Sequence, residues 1–191
     1  MELIQKYNYA ELKRKEGASR LYLTPDGESL PSVTTILSKT QDKSFLKEWK
    51  ARVGEKKAEE IVANSSAIGT ALHLYIEHLV NKHAYQDLTP VGIKYAGTAD
   101  MIALYDGRPT IIDFKQTNKP KKREWIQNYL MQLAAYAMAH NKLFDTEIDQ
   151  GVILMCSQDL LFQKFELSGE NFVRAGDAFM KKLDAYLATL F

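Results

Sequence analysis

Two aspartates, Asp100 and Asp113, have the spacing in this 191-residue chain that most suggests chemistry. They flank Asp106-Gly107, a preferred two-residue hairpin turn, which predicts that Tyr105 faces Arg108. Stepping outward along the same hairpin puts Asp100 opposite Asp113, with Cβ atoms about 4.5–5.5 Å apart on one face of the sheet. Two carboxylates so close would repel each other, and a divalent cation between them removes the conflict. Mg²⁺ prefers such oxygen ligands.

Lys115 adds an ammonium to the same face, because alternate residues of a strand point the same way. Ile112 and Phe114 then point to the opposite face. A metal held by two carboxylates beside a lysine suits phosphodiester hydrolysis, in which the metal activates a water and the lysine orients it or stabilises developing charge. The alternative is an Asp–Lys pair on a solvated strand face, with Asp100 in an unrelated loop.

The composition limits the classes of protein to which the chain can belong. A hydrophobic fraction of 46% and a charged fraction of 26% are ordinary for a soluble globular domain. A lone cysteine, Cys156, excludes a disulfide framework, a Cys-ligated zinc site and a four-cysteine iron–sulfur cluster. The apolar runs are too short for a membrane span, and the net charge of +1 indicates no partner by itself. The first residues resemble neither a signal nor a transit peptide, so we expect a cytoplasmic protein of a bacterial cell or a phage-infected host.

The elements that position these residues follow from periodicity, caps and turns, and together they predict an α/β fold with a mixed sheet flanked by helices. We expect one domain over residues 1–191, with an N-terminal hairpin and helices over about 1–82 and a catalytic core over about 83–191. The hairpin ends near Pro31. The predicted helices are Ser44–Ala63, Ala67–Lys82 (capped by Asn64–Ser66), Glu124–Asn141 and one from Ser168 to about Ala188; the predicted strands are 98–105, 108–115, 151–156 and 160–167.

Two further groups of side chains follow the Lys115 strand. A basic run without acidic residues is a candidate phosphate clamp, and its alternative is a solvated loop. On the next helix, a stripe with 4-3-4 spacing combines aromatic and amide groups on which unpaired bases could stack; the alternative is an amphipathic helix with partly buried tyrosines. The clamp consists of Lys119, Lys121, Lys122 and Arg123, and the stripe of Trp125, Tyr129, Gln132 and Tyr136.

Five short motifs in this order resemble the PD-(D/E)XK nuclease superfamily, in particular its RecB-like branch and, within it, the mitochondrial genome maintenance exonucleases with their phage and bacterial relatives. This resemblance implies a restriction-endonuclease-like fold. The proline that gives the superfamily its name is absent before Asp100, and the cysteines that hold an iron–sulfur cluster in some relatives are missing. The motifs are Ser32-Val33-Thr34, Gly69-Thr70-Ala71-Leu72-His73, Gly97-Thr98-Ala99-Asp100, Ile112-Asp113-Phe114-Lys115 and Gln132-Leu133-Ala134-Ala135-Tyr136.

The resemblance also implies roles for individual residues. Asp100, Asp113 and the backbone carbonyl of Phe114 would hold the metal, and Lys115 would be the catalytic lysine. His73 would add a ligand or orient a metal-bound water. Glu77, one helical turn after His73, could act from the second coordination shell, although a surface contact is its alternative. Gln132 and Tyr136 would lie beside the site and contact DNA, and Ser32 and Thr34 are further DNA-binding candidates.

These expectations combine into a monomeric Mg²⁺- or Mn²⁺-dependent exonuclease without an iron–sulfur cluster. It would degrade single-stranded DNA from a free end and would not bind membranes. The two helices of residues 44–82 could cover the site as a passage for one strand. The alternatives are a structure-selective endonuclease of the same superfamily and a DNA-binding module that does not cut.

Overall fold

The computed structural model describes residues 7–17, 19–80, 86–89 and 92–190. These residues form nine strands, five α-helices and one 3₁₀ helix. The strands are β1 (Lys13–Lys15), β2 (Leu21–Leu23), β3 (Ser29–Pro31), β4 (Gln86–Leu88), β5 (Gly97–Ala99), β6 (Met101–Tyr105), β7 (Arg108–Thr117), β8 (Gln150–Ser157) and β9 (Phe162–Ser168). The helices are α1 (Val33–Lys39), α2 (Ser44–Val53), α3 (Glu55–Leu79), the 3₁₀ helix Arg123–Ile126, α4 (Gln127–Phe144) and α5 (Gly169–Leu187).

The central sheet has the strand order β6-β7-β8-β9, in which only β7 and β8 run parallel. One face of it carries Ile111, Ile153 and Leu167, which share a buried core with Leu133 of α4 and Phe179 of α5. The predicted α/β fold with a mixed sheet and flanking helices is therefore confirmed. None of the helices described is long and apolar enough to cross a membrane.

The β6–β7 hairpin has the predicted register, with Tyr105 opposite Arg108 and Met101 opposite Ile112. The prediction of one strand over 98–105 is wrong, because the chain bends at Asp100 and divides it into β5 and β6. Asp100 therefore lies just beyond the paired residues, and its side chain accepts the N–H of Phe114. Without this side chain, the N–H of Phe114 would need a backbone acceptor from one more residue of the neighbouring strand.

The first long helices meet at Gly54, and the predicted boundary at residues 64–66 is wrong. Gly54 has a φ of 86°, in the left-handed region that favours glycine, and it separates α2 from α3. The polar segment that we expected to be a cap stays helical in the middle of α3, where the hydroxyl of Ser65 contacts Asn118 after β7. The predicted helix end at Lys82 lies outside the described residues.

The N-terminal segment forms a three-stranded sheet, β1-β2-β3, that is larger than the predicted hairpin. After β3 the side chain of Ser32 accepts the N–H of Thr35 and caps α1. Ser32 also bridges to Ala96, the residue before β5. This bridge brings the start of α1 next to the segment that ends at Asp100.

Candidate active site

Four chain segments meet at the middle of β7. His73 comes from α3, Asp100 from the bend between β5 and β6, and Gln132 from α4, and all three contact residues 113–114. The Asp-x-Lys segment of β7 thus lies where the sequence motifs converge. The structure brings together His73, Asp100, Asp113, Phe114 and Lys115 from the predicted site residues.

Asp100 is held by backbone and lies beside the histidine. Its side chain is buried, and its Oδ2 accepts the N–H of Phe114 at 2.9 Å. The other oxygen, Oδ1, lies 3.9 Å from Nδ1 of His73. The opposite ring nitrogen, Nε2, lies 3.2 Å from the carbonyl oxygen of Phe114. The backbone N–H and carbonyl of Phe114 therefore both have side-chain partners, Asp100 and His73.

Asp113 and Lys115 form an ion pair on the face of the sheet that α4 covers. Asp113 is 1% exposed, and its Oδ2 lies 2.5 Å from Nζ of Lys115. Its Oδ1 accepts a hydrogen bond of 3.4 Å from Nε2 of Gln132. The Lys115 ammonium also lies 5.2 Å from the centre of the Tyr129 ring, within the range of a cation–π interaction.

Burial sets the direction of the pKa shifts in this cluster. Burial raises the pKa of Asp113 to about 6, although the nearby charge of Lys115 opposes the shift. Burial also raises the pKa of Asp100. Burial alone would lower the pKa of Lys115, but the two carboxylates outweigh it and raise that pKa. The pKa of His73 is lowered by burial and by the charge of Lys115. At neutral pH, Lys115 is therefore an ammonium and His73 is neutral.

The aromatic and amide stripe runs from the surface into the site. Trp125, in the 3₁₀ helix, is 63% exposed, Tyr129 is half-buried, and Gln132 and Tyr136 are buried. Gln132 donates to the hydroxyl of Tyr136 as well as to Asp113. Burial, followed by the charges of Asp100 and Asp113, raises the pKa of Tyr136 well above its usual range. The outer half of the stripe offers an open surface, and the inner half positions a carboxylate. DNA contact by any of these residues stays a prediction.

The remaining predicted site residues lie around this cluster. Ser32 is buried as a helix cap, whereas Thr34 is exposed on the first turn of α1. Glu77 is half-buried on α3 and has no hydrogen bond or ion pair within the described part of the chain. The basic run is exposed apart from the half-buried Lys121, and Nζ of Lys122 lies 5.6 Å from the centre of the Trp125 ring. Their roles in binding stay predictions.

The turn between β8 and β9 differs from the prediction. A strand was expected from Leu160, but β9 begins at Phe162, and residues 160–162 are three exposed apolar side chains in succession. Gln163 then binds both backbone groups of Lys121 in the basic run. A signal for this turn is present in the sequence, because three apolar residues follow directly on the polar turn Ser157-Gln158-Asp159.

The donors at this point of β7 suit a hard divalent cation, which prefers oxygen ligands. Two buried carboxylates and a backbone carbonyl meet here, and the Lys115 ammonium is the ion-pair partner of Oδ2 of Asp113. No three His, Cys, Asp or Glu side chains within the described ranges are grouped closely enough to hold an ion by themselves. The Phe114 carbonyl and waters would therefore have to complete the coordination. Mg²⁺ commonly keeps several waters in protein sites.

The chain is similar in sequence to known proteins. The sequence profile of the PD-(D/E)XK nuclease superfamily matches residues 22–189. The mouse protein named mitochondrial genome maintenance exonuclease 1 is 26% identical, over 74% of this chain and 54% of its own length. Its human counterpart is 25% identical, over 68% of this chain and 50% of its own length. The chain thus spans about half the length of the curated relatives it matches. Among solved structures, that of SSO0001 covers 81% of this chain and 76% of its own, with 19% identity and a TM-score of 0.45.

Proposed function

Because the chain belongs to the PD-(D/E)XK nuclease superfamily, we propose that it is a metal-dependent deoxyribonuclease that degrades single-stranded DNA from a free end. The observation that carries the proposal is the convergence of Asp100, Asp113 and Lys115 at one point of β7, with His73 on the same strand edge. These groups come from three separate chain segments. A fold that needed only a sheet at this point would not bury two carboxylates there.

Asp100, Asp113 and the carbonyl of Phe114 would hold the metal, with His73 beside them. A bound Mg²⁺ or Mn²⁺ would neutralise phosphate charge and lower the pKa of a water molecule. The protein keeps Asp100 in place through the N–H of Phe114, and it keeps Asp113 in place through Gln132. The two carboxylates therefore keep their positions without a substrate.

Lys115 acts on the nucleophile and on the phosphate. Because its pKa is raised, its ammonium stays charged and cannot accept a proton at neutral pH. It donates a hydrogen bond that orients the attacking water, and it stabilises the negative charge that develops on the phosphate oxygens. As the water oxygen bonds to phosphorus, the bond from phosphorus to one ribose oxygen breaks. The water gives up its proton to solvent, and the departing ribose oxygen takes up a proton from solvent, so that the products are a phosphate monoester and a free hydroxyl.

The preference for a single strand with a free end rests on the surfaces beside the site. The exposed Trp125 ring and the basic run 119–123 adjoin each other and follow the Lys115 strand. Aromatic rings and backbone-binding cations favour unpaired bases, whose faces are open. The names of the curated relatives, which denote an exonuclease, support action from an end.

The experiment uses one sequence as a linear single strand, a closed single-stranded circle and a blunt duplex. The linear forms are labelled at either terminus, and the circle is labelled internally. It is run with Mg²⁺, with Mn²⁺ and with a chelator. We expect metal-dependent loss of the linear single strand, slower loss of the duplex and resistance of the circle. Asp113→Asn should be inactive, whereas Asp149→Asn should be active, since Asp149 is an exposed partner of Arg108 outside the site.

Each other outcome excludes part of the proposal. Rapid nicking of the circle would establish an endonuclease, and equal rates on duplex and single strand would exclude the single-strand preference. Binding without cleavage in either metal would leave a DNA-binding module. Full activity of Asp113→Asn would exclude the site itself.

A further inference from the structure

The turn between β8 and β9 exposes an apolar tip, which we define as Leu160, Leu161 and Phe162. Their exposed fractions are 85%, 52% and 65%. Leu160 also has a φ of 60°, a left-handed conformation that non-glycine residues seldom adopt. Exposed apolar runs and unusual backbone conformations both cost free energy, and both are concentrated at functional sites. The tip therefore needs an explanation other than folding.

The tip is attached to the basic run. The backbone N–H of Lys121 donates to Oε1 of Gln163 at 2.7 Å, and its carbonyl accepts from Nε2 of the same side chain at 2.9 Å. The N–H of Gln158 donates to the carbonyl of Thr117 at 3.2 Å. The cationic residues from Lys119 to Arg123 are thus fixed beside the apolar tip, where Asp159 is the only acidic residue between positions 157 and 163.

The tip also lies close to the catalytic strand. Thr117, which contacts Gln158, follows Lys115 by two residues, or about 7 Å along β7. That distance corresponds to about two nucleotides of a stacked strand. A strand whose phosphate lies at Lys115 would therefore pass the tip within a few nucleotides of the scissile bond.

We propose that the apolar tip is a wedge that packs against the terminal base pair at the junction where the strand entering the site separates from its complement. This proposal rests on the proposed nuclease function. The cationic run favours a polyanion over an ordinary protein partner. Leu160 and Leu161 lack the aromatic face on which single bases stack, and only Phe162 of the tip has one. Leucine and phenylalanine are both residues that proteins insert between base steps. The chemistry therefore fits a duplex end better than a free base.

The experiment combines a tip variant with a matched control. The double variant Leu160→Asn, Phe162→Thr removes the two most exposed apolar side chains of the tip. Asparagine tolerates a left-handed φ, and threonine favours strands. Leu104→Thr is the control, because Leu104 is 72% exposed on β6 near the opposite, Asp106-Gly107 end of the sheet. The first substrate is linear oligothymidylate. The second is the same strand with an oligoadenylate segment annealed to its interior, so that a single-stranded free end leads to a duplex junction. We expect the ratio of duplex-containing to single-strand rates to fall about tenfold in the tip variant and to stay unchanged in the control.

A second measurement does not depend on cleavage. Metal-free Asp113→Asn protein is mixed with a junction that carries 2-aminopurine in its terminal pair, whose fluorescence rises when the base unstacks. We expect a rise that the tip substitutions abolish and that Leu104→Thr retains.

The outcomes separate the two proposals. If the protein cuts no DNA, but the fluorescence rises and the tip substitutions abolish the rise, the nuclease proposal fails and the wedge proposal stands. If the protein cuts and the rate ratio is the same in the tip variant and the control, the wedge is wrong. The wedge is also excluded if the junction neither binds nor changes its fluorescence, or if sedimentation shows that the tip joins two copies of the chain.

Discussion

Gly97 lies against the ring of Tyr136 so closely that a Cβ at position 97 would be 2.6 Å from Cε1 of that ring. The glycine belongs to the segment that leads to Asp100, and the tyrosine to the helix that carries Gln132. The first residue of the Gly-Thr-Ala-Asp motif is therefore a packing requirement, which allows α4 to approach the site.

The Gly97–Tyr136 contact predicts that Gly97→Ala destabilises the protein by about 1–3 kcal/mol, because a buried ring and two backbone segments would have to move apart. Gly69→Ala is the control, since a Cβ at that helical position meets nothing within 4 Å. The control should be neutral or more stable by up to about 1 kcal/mol, because alanine has the higher helix propensity. Urea unfolding of both variants checks the prediction, and equal stabilities would contradict it.

The raised pKa of Asp113 predicts how stability depends on pH in the metal-free protein. The interior tolerates the neutral carboxyl better than the carboxylate. The contribution of Asp113 to the free energy of unfolding is therefore complete below about pH 4 and is lost as the pH rises through about 6. Asp113→Asn should therefore unfold at higher urea than the wild type near neutral pH in a chelator, and the difference should narrow in acid. Asp149→Asn should keep the pH dependence of the wild type. A wild-type protein that gains stability relative to Asp113→Asn between pH 4 and pH 7 would show the opposite sign.

Asp100 predicts different results for two substitutions. Asp100→Ala leaves the N–H of Phe114 without its acceptor and should cost about 1–3 kcal/mol of stability. Asp100→Asn keeps an oxygen acceptor and should cost less. Wild-type protein at a Mg²⁺ concentration of 100 times its dissociation constant should gain about 2.7 kcal/mol, and both variants should lose most of that gain. Melting curves with and without Mg²⁺ measure both effects; a wild-type melting temperature that ignores the metal would count against the site.

The ion pair of Lys115 and Asp113 predicts a strong coupling between the two positions. Lys115→Ala should cost about 3–5 kcal/mol, because it leaves a buried carboxylate without its cation. In an Asp113→Asn background the same substitution should cost much less, since the carboxylate that pairs with Lys115 is then absent. A double-mutant cycle on unfolding free energies measures the difference. Additive effects would show that the pair does not interact in solution. Cleavage by Lys115→Ala should also fall by orders of magnitude while metal affinity is retained.

Burial increases along the stripe from Trp125 to Tyr136, which predicts that alanine substitutions at its two ends have different effects. Trp125→Ala should weaken single-strand binding by about 1–3 kcal/mol, with stability changed by at most about 0.5 kcal/mol. Tyr136→Ala should instead lose about 3–5 kcal/mol of stability, because the ring is 3% exposed. Fluorescence anisotropy with oligothymidylate and thermal unfolding distinguish them. A Trp125→Ala protein that binds as tightly as the wild type would remove the stacking role.

Local signals in the sequence were enough to predict the β6–β7 register. The turn Asp106-Gly107 fixes it, and both residues have the positive φ values that such a turn needs. The same reasoning extended the strand through Asp100, which is wrong, because the Phe114 N–H finds a side-chain acceptor and β5 pairs with β4. That competition between a side chain and a strand partner depends on a contact 14 residues away and leaves no local pattern.

The predicted helix boundary at residues 64–66 was wrong for a related reason. Residues that often cap helices occupy positions 64–66, yet the packing of α3 along β7 keeps them helical. The break between the two helices lies at Gly54 instead. The convergence of His73 on Phe114 likewise depends on how α3 lies along β7. The motif order indicated that these residues belong together, but only the fold shows that a backbone carbonyl joins them.

The contact between Asp100 and the backbone of Phe114 has an evolutionary consequence. One carboxylate serves both the fold and the proposed chemistry, so a lineage that loses Asp100 is penalised twice. Asp113 is different, because its buried charge strains the metal-free fold, and a neutral amide relieves that strain. A duplicated gene released from selection for cutting should therefore change first at position 113, and it would then encode a stable protein that keeps the exposed Trp125 ring but does not cut.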